Sequence, residues 1–69
     1  METIRLEIAG FAAAANEAIE NALRTVPGVM SVRPDPAGNG VRVEVVGQVR
    51  ADDLVAAVRK AGYIATLAG

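Results

Sequence analysis

Neither cysteine nor histidine occurs anywhere in the 69 residues. That removes the thiolate of a redox or nucleophilic cysteine, the Cys/His set of a structural zinc site and the imidazole general base. The sulfurs that remain are Met1 and Met30, thioethers of the kind that soft metals accept. One is the first residue and the other lies in a strand pattern, so they do not converge, and Met30 is expected to pack in the core or at a sheet edge. Oxygen ligands are more plentiful: Asn16, Glu17, Glu20, Asp35, Asp52 and Asp53. Glu17 and Glu20 stand at i and i+3 on one helix face, but two carboxylates without a wrapping loop hold a cation weakly, so solvated helix surface is the expectation. Residues 34–40, PDPAGNG, lack both the alternating oxygens of a calcium loop and the Lys-Ser/Thr of a phosphate loop, and read as a hairpin tip. A nucleophile would have to be Ser31 or a threonine paired with Lys60 or a carboxylate, and no spacing supports such a pair. The chain reads as a non-enzyme, with no catalytic residue, no metal ligand and no cofactor.

The composition bounds what can hold these groups in place. A chain this short builds one small core, and with 52% apolar and 22% charged residues it falls in the globular range. Phe11 and Tyr63 are its only aromatics, so the core must come from Val, Ile, Leu and Ala. Seven basic against eight acidic residues give a net charge of −1, which supplies no electrostatic footprint for nucleic acid or an anionic membrane. No apolar run approaches the ~18–20 residues of a membrane span. The opening METIRLEIAG lacks the basic start and apolar stretch of a signal peptide. A soluble, cytoplasmic domain is expected.

The elements follow from periodicity. Residues 3–8 alternate, with Ile4, Leu6 and Ile8 on one side and Thr3, Arg5 and Glu7 on the other, the period of a half-buried strand. From about Ala12 strong helix formers take over, with Ala15, Ile19, Ala22, Leu23 and Val26 on one helical stripe. Asn16 offers a later start for this helix, as its N-cap, with Glu17 and Glu20 then favourable to the dipole. Pro27 and Gly28 end it. A hairpin follows, residues 29–33 and 41–45, with Arg42 and Glu44 alternating against Val41, Val43 and Val45. Ala51, Asp52 and Asp53 begin a second helix whose buried stripe is Leu54, Val55, Val58 and Ala61, and residues 63–67 return as a last strand. The order β-α-β-β-α-β predicts an α+β, ferredoxin-like sandwich: a four-stranded antiparallel sheet with two helices on one face. Arg5, Glu7, Arg42 and Glu44 should lie on the open face and pair across neighbouring strands.

IRLEIAG before the first loop, AIENAL on the first helix, VPGVMSV entering the second strand, DLVAAVRKAGY on the second helix and ATL at the end together resemble the heavy-metal-associated domains. These occur as small copper or mercury chaperones and as N-terminal domains of heavy-metal P-type ATPases. The resemblance covers nearly the whole chain and implies a single such domain over residues 1–69. In that family a GMTCxxC loop opens the first helix, where residues 10–23 here read GFAAAANEAIENAL. Counting back from Ile19 maps the two cysteines onto Ala12 and Ala15. Counting forward from Gly10 maps them onto Ala13 and Asn16, so the loop is one residue shorter than the family pattern. Neither register holds a thiol. Loop length, the usual methionine (here Phe11) and both cysteines all differ together, which reads as divergence or redesign rather than a simple cysteine knock-out.

Gly10, Phe11, Ala12, Ala13, Ala15, Asn16 and Tyr63 are therefore the degenerate metal-loop positions. Phe11 and the alanines after it make an apolar surface that either folds inward, the preferred reading, or faces out as a docking spot. The resemblance implies a scaffold without its thiolate pair: a regulatory or interaction module at the cytosolic N-terminus of a copper-type transport ATPase. On this reading the chain is expected to start and stop at domain edges, as an excised fragment would. Its partners would be other cytosolic domains of that ATPase or a metallochaperone, with no nucleic acid and no membrane insertion. Two alternatives stand beside this. One is metal handling through partner-supplied or unconventional ligands; the other is a small-molecule-binding regulatory domain of the same topology. RNA-recognition modules share the topology but carry stacking aromatics and basic groups on their exposed strands, which are missing here.

Overall fold

Alternating valines and isoleucines form the sheet and the two leucine-bearing stripes form the helices. The computed structural model describes residues 2–10, 15–35 and 39–68. The elements are β1 (Glu2–Ile8), α1 (Asn16–Arg24), β2 (Val29–Pro34), β3 (Gly40–Val45), α2 (Ala51–Lys60) and β4 (Ala65–Leu67). The strands lie in the order β2-β3-β1-β4, every neighbouring pair antiparallel. This is the ferredoxin-like sandwich expected from the alternation.

Register decides the core. Leu6 pairs with Val41 and Leu67, Ile8 with Ala65, and Val43 with both Ile4 and Val32, so one face of the sheet is aliphatic from edge to edge. Ile19 and Leu23 of α1 and Leu54 and Val58 of α2 close over it, all fully buried. Burying side chains of this size contributes about 1.5–3 kcal/mol each. Ala22, Val26, Val55 and Ala61, expected on the same stripes, are half-buried at the margins.

The connections are hydrogen-bonded into place. Gly28 takes a φ of +97° after α1, and its carbonyl accepts from Val46 N–H at 2.8 Å. A Cβ at that position would meet Val49 Cγ2 at 2.5 Å and the Val46 carbonyl oxygen at 2.6 Å. At the start of α2 the Asp53 carboxylate reaches back to the Arg50 N–H, 3.2 Å away, which satisfies one of the helix's orphan donors. Ala68 N–H donates to the Arg5 carbonyl at 2.9 Å, so β4 leaves the sheet heading for the end at which β1 enters.

Two expectations are corrected and two are made more specific. Helix α1 has Ala15 at its N-cap with no side-chain hydrogen bond, and Asn16 is the first helical residue rather than the cap; residues 12–14 lie outside the described residues. Met30 sits at the sheet edge, one of the two places expected for it, at a register shift between Val29 and Ser31 on β2, and 60% of it is exposed. The last strand is shorter than residues 63–67, because Tyr63 and Ile64 precede the ladder. Asp35, at the start of the segment read as a hairpin tip, is buried; residues 36–38 of that tip lie outside the described residues.

Candidate functional site

The loop after β1 is positioned by three strands' ends meeting at one end of the sheet. Ile8 N–H donates to the Asn39 carbonyl and Ala9 N–H to the Ile64 carbonyl, both at 2.9 Å. These two bonds bring the hairpin tip and the α2–β4 turn against the start of the loop. Gly10 follows, exposed, with a φ of +69° that glycine adopts at no steric cost. Phe11, Ala12 and Ala13 lie outside the described residues.

Beyond the loop, Ala15 is buried in the core cluster and Tyr63 is half-buried against that same cluster. Tyr63 is held by its N–H, which donates to the Val58 carbonyl at 3.2 Å in the turn that ends α2. Asn16 carries the one orphaned buried side-chain polar atom among the described residues: its Oδ1 has no hydrogen-bond partner. Gly10, Ala15, Asn16 and Tyr63 are thus gathered at the loop end of the molecule.

Two neighbours escaped sequence reasoning. Ile64 is 64% exposed at the same end, next to Tyr63. Apolar residues stand on both parities of the 63–67 run, Ile64 on one and Ala65 and Leu67 on the other, which hid the face to which Ile64 belongs. Asp35 is the other. Its carboxylate is 6% exposed, 3.3 Å from Arg5 Nε and 3.9 Å from Arg42 Nε. Arg5 and Arg42 were expected to pair with neighbouring glutamates, but the register sets them directly opposite one another and Arg33 opposite Arg42. Like charges in register repel, and Asp35 supplies the counter-charge. Glu44 accepts instead from the Ser31 hydroxyl at 2.7 Å. The signal was available in strand parity, since Ser31, Arg33 and Asp35 share the open face.

Away from the loop, an open trough of about 930 Å³ runs between the helices, with Val26, Pro27, Val49, Ala57 and Lys60 among its lining residues. Among the described residues no three His, Cys, Asp or Glu side chains come together as a metal could use them, and no helix is long and apolar enough to cross a membrane.

No protein-family model matches the chain, nor does any curated protein. Solved structures do. The N-terminal domain of PacS from Synechocystis PCC6803 is 33% identical over the full length of both chains, with a TM-score of 0.84. The N-terminal domain of a potential copper-translocating P-type ATPase from Bacillus subtilis is also 33% identical, over 99% of this chain and 88% of that one, with a TM-score of 0.84. The chain belongs to the heavy-metal-associated domain family. A copper-binding domain of the P-type ATPase HMA7 superposes with a TM-score of 0.87 at 25% identity, over 100% of this chain and 96% of that one. In this heavy-metal-associated domain, Arg5, Asp35 and Arg42 lie on the open sheet face.

Proposed function

We propose that residues 1–69 form a single heavy-metal-associated domain that has lost its thiolate pair. It acts as a regulatory or protein-interaction module in the cytosolic N-terminal region of a copper-type transport ATPase. The observation that carries this is chemical: Cu(I) and similar soft ions are held by thiolates, and the chain has none at Ala12 and Ala15, at Ala13 and Asn16, or anywhere else. The similarity to N-terminal domains of copper-transporting ATPases supports the parent context. Exposed Ile64, with Gly10 and half-buried Tyr63 beside it, supports a docking role for the loop end, toward another cytosolic domain of the ATPase or a metallochaperone. The domain is a binding module rather than a catalyst.

A second reading keeps metal handling, with ligands supplied by a partner or drawn from unconventional groups; the orphaned Asn16 Oδ1 favours giving it a test. That test is a Cu(I) titration against a strong competing chelator, followed by amide NMR. The unaltered chain runs beside Ala12→Cys/Ala15→Cys and Ala13→Cys/Asn16→Cys. The proposal expects no specific shifts from Gly10 to Asn16 in the unaltered chain and binding in one restored pair. Specific shifts in the unaltered chain overturn it in favour of the second reading.

A further inference from the structure

The two edges of the sheet are built differently. On β2 the register shift at Met30, the outward Arg33 and the terminal Pro34 are devices that stop a foreign strand from adding to an edge. Among its described residues β4 has none of these three, and its one guard is its shortness, three residues. Residues 63–69, YIATLAG, contain no Lys, Arg, Asp, Glu or Pro, and both Ile64 and Leu67 are more than 60% exposed. The hydrogen-bond phase shows which backbone groups are free. The Ile64 carbonyl accepts from Ala9 and the Ala68 N–H donates to Arg5, so residues 64, 66 and 68 turn toward β1. By the alternation of an antiparallel ladder, Ala65 and Leu67 turn their N–H and C=O groups to the open edge.

Helix α2 matches this edge. Ala51 lines the same shallow recess as Leu67 and Ala68, whereas Asp53, Ala56, Ala57 and Lys60 line the trough toward α1. Helical rotation puts Asp52, Val55 and Arg59 with Ala51 on the β4 flank. Asp52 and Arg59 are exposed and make no ion pair among the described residues. Their order along the helix, acid then apolar then base, is self-complementary when read against its own antiparallel copy.

We propose that β4 is a homodimerisation edge, on which a second copy of this chain adds its own β4 in antiparallel register about a two-fold axis at Thr66. Ala65 of one copy then exchanges two backbone hydrogen bonds with Leu67 of the other, and the reverse, four in all. The same axis sets the two α2 helices side by side and antiparallel. Asp52 then faces Arg59 of the second copy at both ends, with Val55 facing Val55 between them, and Leu67 covered beneath. The contact is isologous, so it closes at two copies. A seam this short makes a weak, concentration-dependent dimer.

Sedimentation equilibrium of the whole chain from about 10 μM to about 1 mM brackets such an association. The weight-average mass is expected to climb from the 7.1 kDa monomer toward twice that. Leu67→Pro, which removes an outward donor and none of the β1 ladder, abolishes the climb. Arg59→Asp weakens association by about tenfold, and Asp52→Arg/Arg59→Asp restores it, an exchange that a merely misfolded variant would not show. Met30→Asp, on the guarded β2 edge, changes nothing. A monomer at every concentration overturns the proposal, as does a dimer indifferent to Leu67→Pro and to the charge exchange.

Discussion

Arg5 and Asp35 are thirty residues apart in sequence, yet the arginine Nε donates to the aspartate Oδ2 at 3.3 Å on the open face of the sheet. The carboxylate also lies 3.9 Å from Arg42 Nε, between two guanidinium groups that the β1–β3 register sets opposite each other. Asp35→Ala removes the shared counter-ion and leaves the arginines facing. Urea denaturation should register a loss of about 1–3 kcal/mol. In an Arg42→Thr background the same change should cost measurably less, since one of the repelling charges is gone. Unchanged stability in the single variant would show that the cluster contributes nothing.

Two positive-φ glycines make an internal control. Gly28→Ala has to fit a Cβ against Val49 and the Val46 carbonyl, and thermal unfolding should show a loss above about 3 kcal/mol. Gly47 has a φ of +78° and open space around it, so Gly47→Ala should cost only about 1–2 kcal/mol. Equal losses would mean that backbone conformation alone, and not the close approach at Gly28, sets the penalty.

Asn16 presents a buried oxygen with no partner at the first helical position. An unsatisfied acceptor costs about 1–3 kcal/mol, and alanine is the better helix former, so Asn16→Ala should leave stability unchanged or raise it by up to about 1 kcal/mol. A clear loss in a calorimetric melt would assign the side chain a structural hydrogen bond.

Ile19 and Ile64 share a residue type and little else. Ile19 is fully buried, and Ile19→Ala should cost about 2–5 kcal/mol by denaturant titration. Ile64 stands in solvent at the loop end, and Ile64→Ser should fall within about 0.5 kcal/mol of the unaltered chain. That makes Ile64→Ser the variant with which to probe docking at this end, since a lost partner signal could not be blamed on unfolding.

What the sequence made legible was whatever rests on period. The alternation of Ile4, Leu6 and Ile8, and of Val41, Val43 and Val45, is seen directly in the ladder; so are the stripes carrying Ile19, Leu23, Leu54 and Val58. What stayed hidden depends on contacts between distant segments or on residues that carry no signal. A run of alanines has no capping side chain, so the start of α1 could be read at Ala12 or after Asn16, and the helix instead begins at Asn16. The burial of Asp35 is a tertiary property, set by arginines on two other strands. The loop chemistry was legible as a lack of thiols and nothing more, because alanine does not advertise a role.

The hydrogen bond from Ala68 N–H to the Arg5 carbonyl has a consequence for tethering. Because β1 enters and β4 leaves at the same end of the sheet, chain attached before Glu2 or after Ala68 emerges opposite Gly10 and Ile64. A neighbour leashed at either point leaves the loop end facing outward, and the reach of the leash, rather than the surface beneath it, sets how far that end can swing to meet another molecule.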